Sequence, residues 1–283
     1  MFKKFAILLE MIKFEHTVFA MPFALMGAFL AKRGVPDAAT FGWIVLAMVG
    51  ARTCAMGFNR IVDREIDRRN PRTAGRALPA ATVHLWEAWL MVLLAGVLFF
   101  YACYNLNRLT LILSPFALSL TLFYSLTKRF TWLCHVVLGL ALAFSPLGGW
   151  VAVSGTLVDF PFVLSAGVLF WVAGFDTVYA CLDADFDSDA GLFSLPSRFG
   201  RKNAFKTAVA FHVIAFILFV ITGMVSGLNY LYYIGIIFTG TALFYQHIVV
   251  NPKDLARIQL SFFTMNGLIS LTLFVATWLS LVL

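Results

Sequence analysis

Charge is what this 283-residue chain has least of. Asp, Glu, Lys and Arg make up 12% of it, against 61% hydrophobic residues and a mean hydropathy of +0.89. A soluble domain carries about twice that charged share. The composition therefore excludes a water-soluble globular fold and predicts a polytopic, all-α membrane protein. Cysteine is also scarce. Cys54, Cys103, Cys134 and Cys181 form no C-x-x-C pair, which leaves them as small apolar residues without a redox role. The five histidines (His16, His84, His135, His212 and His247) show no H-E-x-x-H or other ligand spacing, and each reads as an interfacial or helix-to-helix hydrogen-bonding residue. No small-residue cleavage site follows Lys3 and Lys4, and the apolar run there leads into a full-length span, unlike a secretory leader.

Apolar runs are abundant. Nine of them, over residues 14–31, 40–58, 84–103, 107–126, 132–153, 161–180, 205–226, 230–250 and 260–282, are expected to cross the bilayer, since a crossing needs about 20 residues. Most connections are short; 59–83 and 181–204 are the exceptions. The net charge of +7 belongs to the loops. Eighteen of the 21 basic residues fall on one side, and only Lys32, Arg33 and Arg108 on the other. That bias puts the N-terminus and both long loops in the cytoplasm, in an inner-membrane protein, and argues against a nucleic-acid partner.

Seven of the 14 acidic residues lie in the two long loops. The first cluster reads Asn59-x-x-x-Asp63-x-x-x-Asp67, and the second, 120 residues later, Tyr179-x-x-x-Asp183-x-x-x-Asp187. The i, i+4, i+8 spacing puts three polar side chains on one helical face. Carboxylates at a membrane edge are costly unless used. Oxygen-only donor sets suit a hard cation such as Mg²⁺, which binds few carboxylates together with substrate phosphates. Arg72 and Arg76 follow Pro71, which ends the first helix, and guanidinium forks match phosphate oxygens. A metal–diphosphate site is expected, shared by two loosely related halves around a central cavity. Arg60, Arg64 and Arg68, by contrast, look like pairing partners on a solvated face. The run Asp183–Asp189 resembles an EF-hand start, but Ser188 stands where the loop needs Gly and Ser194 where it needs Glu. Asp176, two turns before Asp183, either lines the cavity or bonds a neighbouring helix. Lys128 suits either a phosphate contact or a positive-inside anchor.

These residues resemble the intramembrane aromatic prenyltransferases, the superfamily of 4-hydroxybenzoate polyprenyltransferase. N-x-x-x-D-x-x-x-D followed by R-T-x-x-R-x-L-P matches Asn59, Asp63, Asp67, Arg72, Thr73, Arg76, Leu78 and Pro79. D-T-x-Y-x-x-x-D-x-x-x-D matches Asp176, Thr177, Tyr179, Asp183 and Asp187, and Y-x-x-x-K-R matches Tyr124, Lys128 and Arg129. Arg60 replaces a common Asp, Ala77 a common Pro, and Lys13 an arginine of the first helix.

The resemblance implies a single transmembrane domain over 1–283, with nine helices around a central cavity. It implies Mg²⁺-dependent transfer from a polyprenyl diphosphate to a phenolic aromatic acid in ubiquinone or menaquinone synthesis. Asn59, Asp63 and Asp67 would hold one metal ion and Asp183 with Asp187 another. Asp63, Asp67, Asp183 and Asp187 would then be catalytic. Arg72, Arg76, Lys128 and Lys13 would bind the diphosphate, with Tyr124 and Tyr179 bonding it or steadying the ligands. The stretch around Lys13 is similar to a subgroup in which some members prenylate 1,4-dihydroxy-6-naphthoate, and haem is a further acceptor within the superfamily. A transporter of an anionic metabolite is the alternative from another class, disfavoured because the acids cluster at one membrane face rather than the midplane.

Overall fold

The computed structural model describes residues 2–12, 19–250, 255, 258 and 264–283, and among these the chain is helical throughout, with no strand. The helices are α1 (Phe2–Met11), α2 (Met21–Lys32), α3 (Ala38–Val62), α4 (Arg64–Arg69), α5 (Leu85–Leu106), α6 (Arg108–Thr127), α7 (Cys134–Ser154), α8 (Phe162–Ala180), α9 (Ala184–Asp189), α10 (Leu195–Val225), α11 (Tyr230–Val249) and α12 (Asn266–Val282). In lipid every backbone group must be satisfied within its own segment, which is why an apolar chain of this kind resolves into helices.

Six of them, α3, α5, α6, α7, α8 and α10, are long and apolar enough to cross a membrane. Among the described residues this is fewer than the nine expected spans. Helix α11 has the length, but its tyrosines, Gln246 and His247 dilute its apolar character. Helices α2 and α12 have 12 and 17 described residues, and residues 14–18 and 260–263 of those two expected spans lie outside the described residues. The segment α10 is two helices joined across a kink at Gly200 (φ 78°, ψ 155°); the short first one begins at Leu195, capped by the Ser194 hydroxyl on the Ser197 amide, and the expected span 205–226 covers most of the second.

Neighbours in sequence pack against one another, α3 on α5, α6 on α7, α7 on α8, α8 on α10 and α11 on α12, and α12 returns to α2 to close a ring. Helix α2 also lies along α7 at very close range. A Cβ on Gly149 would come within 1.8 Å of the Ala24 carbonyl oxygen, and one on Gly27 within 2.0 Å of that of Pro146. One core joins Phe23, Trp171, Phe219, Tyr232, Ile269 and Leu273 from five helices. The outward faces of α5, α6 and α11 stay apolar and exposed, as a lipid-facing surface requires. Inside the ring, α2, α3, α6, α7 and α8 enclose the cavities described next.

Candidate functional site

Both acidic motifs sit where a long helix breaks. Helix α3 stops at Asp63 (φ −89°, ψ 1°), and α4 starts at the next residue. Helix α8 stops at Ala180, and α9 restarts after Asp183 (φ −107°, ψ 5°). The backbone spacing survives each break. The Asp63 amide still donates to Asn59 O (3.0 Å), Asp67 to Asp63 O (2.7 Å), and Asp187 to Asp183 O (2.7 Å). The acids therefore keep a common face, as the spacing predicts, while the break turns that face across the end of the ring.

Arginines tie the two motifs together. Arg72 leaves its own loop, donates from Nε to Asp183 Oδ1 (2.8 Å) and from Nη2 to Asp183 Oδ2, and rests against Tyr179, with Nη1 3.3 Å from the hydroxyl and the guanidinium 5.5 Å from the ring centre. Asn70 holds the same carboxylate (Nδ2 to Oδ1, 2.8 Å), while its Oδ1 accepts the Arg72 amide (3.0 Å). Arg76 places Nη1 2.8 and 2.9 Å from the two oxygens of Asp67. Arg129 bonds Val62 O (2.5 Å) and reaches Asp63 Oδ1 at 3.4 Å, and Asn59 Nδ2 donates to Asp63 Oδ2 (3.2 Å). Arg60 departs from the solvated role expected of it. It is buried, and its Nε donates to Met11 O (3.0 Å) beside the cavity. Arg68 does pair with Glu65 on the surface, and Asp185 pairs with Arg201 outside the site.

The charges are unevenly satisfied. Burial pushes the Asp183 carboxyl up, but Arg72 and Asn70 outweigh it and hold its pKa below the ordinary value. For Arg72 burial works downward, and Asp183 more than restores it. Asp63 and Asp187 stand above the usual carboxylate range. Burial is the main cause for both; Asp67 adds to it at Asp63 and Asp183 at Asp187, against the positive charge of Lys128. Asp187 is 4% exposed, and its Oδ1 is buried without a hydrogen-bond partner. Among the described residues no three His, Cys, Asp or Glu side chains converge closely enough to form a metal cluster by themselves. The donors are nonetheless all oxygens, two of the carboxylates are short of positive charge, and one oxygen is orphaned in the interior, so the residues fit a hard divalent cation.

Asn59, Asp63, Asp67, Asp183, Asp187, Arg72, Arg76, Lys128, Tyr124 and Tyr179 all line one polar cavity of about 290 Å³. Lys13 lies outside the described residues. Asp176 both lines the cavity and bonds the next helix, through His135 Nδ1 at 2.7 Å. Asn70, His135 and Arg52 also line it and were missed from sequence; the Asn-Pro turn signal at Asn70 was the one available hint. A second cavity of about 190 Å³ adjoins it, lined mostly by apolar residues of α2, α3, α5, α6 and α7; among the described residues that line it, Arg52 is the charged one. Arg52, Met56, Asn59, Tyr124, Leu138 and Leu142 face both.

The UbiA prenyltransferase family matches residues 20–268. The chain is 32% identical over 230 residues to the 4-hydroxybenzoate octaprenyltransferase of Shewanella halifaxensis (strain HAW-EB4), covering 81% of this chain and 80% of that one. It is 33% identical over 231 residues to the enzyme of the same name from Vibrio cholerae (strain M66-2), covering 81% of each. Its fold is similar to the apo UbiA homolog from Aeropyrum pernix K1, at a TM-score of 0.86 and 35% identity over 93% of this chain and 96% of that one. An Archaeoglobus fulgidus UbiA homolog solved with GPP and Mg²⁺ shares the fold at a TM-score of 0.70 and 17% identity, over 98% and 100% of the two chains. With a family match spanning most of its length, the chain belongs to the UbiA prenyltransferase family and is an integral membrane prenyltransferase.

Proposed function

We propose that this enzyme transfers a polyprenyl group from a polyprenyl diphosphate to the ring of a phenolic aromatic acid, 4-hydroxybenzoate, in respiratory quinone synthesis. The observation that carries the reading is the junction of a charged cavity with an apolar one. A polyprenyl diphosphate has the same division, a polyanionic head on an apolar tail, and the named activity of the relatives requires such a substrate. Mg²⁺, held by Asn59, Asp63 and Asp67 on one side and by Asp183 and Asp187 on the other, would neutralise the head and make it a better leaving group.

The chain's own residues supply the rest. Arg72, Arg76, Lys128 and Lys13 receive the charge that develops on the departing diphosphate. Tyr124 and Tyr179 donate hydroxyl hydrogen bonds to it. The allylic C1–O bond breaks with its electron pair leaving on the diphosphate. The apolar cavity keeps water from the resulting carbocation. The ring carbon ortho to the acceptor hydroxyl bonds to C1, and a ring proton is lost. Arg52, the one charged side chain among the described residues of the apolar cavity, is the partner for the acceptor's carboxylate. The excess of Lys and Arg on the motif side supports a site facing the cytoplasm in the inner membrane, within one domain over 1–283.

The test is product mass from detergent-solubilised protein with Mg²⁺, geranyl diphosphate and, separately, 4-hydroxybenzoate or 1,4-dihydroxy-6-naphthoate, which offers Arg52 the same carboxylate. A prenylated 4-hydroxybenzoate that disappears with EDTA is expected. An adduct of the naphthoate alone would replace the acceptor, and no adduct of either, with no pyrophosphate, would refute the reading.

A further inference from the structure

Among the described residues six carboxylates line or flank the polar cavity, and one of them is held differently from the rest. Asp67 and Asp183 are bound by guanidinium groups, Asp63 is approached by Arg129 and Asn59, and Asp187 has one oxygen, Oδ1, without a partner. Asp185 is outside, on Arg201. Among the described residues no arginine bonds Asp176. Its Oδ2 lies 2.7 Å from His135 Nδ1, and the other ring nitrogen, Nε2, accepts the Leu195 amide at 3.3 Å. An amide can only donate, so Nε2 carries a lone pair and the imidazole proton sits on Nδ1, where it is donated to Asp176. The imidazole is thereby fixed between the first residue of α10 and a carboxylate of α8, and it is 2% exposed. Asp176 keeps a side chain 19% exposed, on the cavity side.

Its depth matters as much. Asp176 precedes Asp183 by seven residues, roughly 10 Å of helical rise further from the diphosphate end. His135 shares an α7 face with Leu138 and Leu142, at i+3 and i+7, and these two leucines face both cavities. The dyad therefore stands at the seam where the head site meets the tail site, which is where C1 and the attacking ring must meet. Taking the proposed ring transfer as given, we infer that Asp176 is the base that removes the ring proton, and that His135 is a positioning residue that fixes its carboxylate.

The step balances. The C1–O pair leaves on the diphosphate, a ring π pair forms the new C–C bond, and the ring C–H pair returns to restore aromaticity. The proton passes to Asp176, which releases it through the cavity to water. A guanidinium-bound carboxylate would serve poorly here, because its partner stabilises the unprotonated form. A base of this kind contributes about 10²- to 10⁴-fold.

The experiment uses the full-length protein with geranyl diphosphate and 4-hydroxybenzoate deuterated at both carbons ortho to the hydroxyl. Wild type should be limited by bond ionisation, so light and heavy acceptors should react alike. Asp176→Asn should lower kcat by about 10²-fold or more and leave the KM for geranyl diphosphate near the wild-type value. It should also unmask a primary isotope effect, which a merely structural loss would not produce. His135→Ala should show the same pattern more weakly, and His135→Gln, whose amide donates and accepts like the ring, should recover. Mg²⁺-dependent binding of geranyl diphosphate should persist in Asp176→Asn, showing an intact head site. Wild-type turnover in Asp176→Asn, lost turnover without an isotope effect, or loss of geranyl diphosphate binding together with transfer would overturn the assignment. Failure of the wild type itself to prenylate the ring would instead refute the reaction on which it rests.

Discussion

Replacing Asp187 by Asn should make the metal-free protein more stable and the enzyme inactive. Asp187 is 4% exposed, its Oδ1 has no partner, and burial together with Asp183 keeps its pKa above the ordinary carboxylate value despite Lys128. A carboxyl with a raised folded-state pKa binds its proton more tightly folded than unfolded. Its ionised form therefore opposes folding at neutral pH, and the penalty is relieved as pH falls below the folded value. A buried, unsatisfied acceptor costs about 1–3 kcal/mol. Asn removes the charge but leaves a polar amide, so about 1 kcal/mol of that should be recovered. With Mg²⁺ the order reverses. A cation bound only by the folded state adds RT ln(1 + [L]/Kd), about 1.4 kcal/mol at ten times its Kd, and the variant should gain little of it. Thermal unfolding in detergent at pH 7, with EDTA and across a Mg²⁺ series, reads both effects. The expected curves cross. Equal stabilisation of the two proteins by Mg²⁺, or a variant less stable than wild type in EDTA, would refute the reasoning.

Arg72→Ala should raise the KM for geranyl diphosphate by roughly tenfold to a hundredfold, the loss of charge-assisted bonds of about 1.5–3 kcal/mol, and Arg72→Lys should restore only part of it because an ammonium cannot form the fork; steady-state kinetics decides. The same Arg72→Ala change should alter acid stability. Asp183 has a depressed folded pKa, so its contribution is complete above the unfolded value of about 3.9 and is lost as pH falls through the folded one. Without Arg72, burial dominates and the loss should begin at higher pH in an unfolding–pH series. Gly149→Ala should cost about 1–3 kcal/mol, because its Cβ would lie 1.8 Å from the Ala24 carbonyl oxygen and force α2 from α7; a melting temperature unchanged from wild type would contradict the close packing.

The membrane class, the two acidic faces and the three motif segments were legible because each follows from local rules. Hydropathy needs only a window of about 20 residues, and a helical face needs only spacing. What depends on chain reversal was not legible. The breaks at Asp63 and Asp183 leave no proline or glycine at those positions, so a continuous helix was the natural expectation. Arg60 sits in register with Arg64 and Arg68, and nothing in that register says that α1 returns to bring Met11 O to its side chain. The pairing of Arg72 with Asp183 joins residues 111 apart in sequence. His135 carried no ligand spacing because its partner, Asp176, is on another helix. The short helix before the kink at Gly200 was obscured by Arg198, Arg201 and Lys202, whose charges lower hydropathy around it.

The central claim is that one cavity carries both the cation-dependent departure of diphosphate and the transfer to the ring. Its most direct test is pyrophosphate release, followed by ³¹P NMR, from geranyl diphosphate and 4-hydroxybenzoate in vesicles carrying wild type, Asp63→Asn or Asp183→Asn at matched insertion. Wild type should release one pyrophosphate per prenylated acid, only with Mg²⁺, and both variants should release none. Stoichiometric release by either variant, or release from wild type in EDTA, would contradict the account.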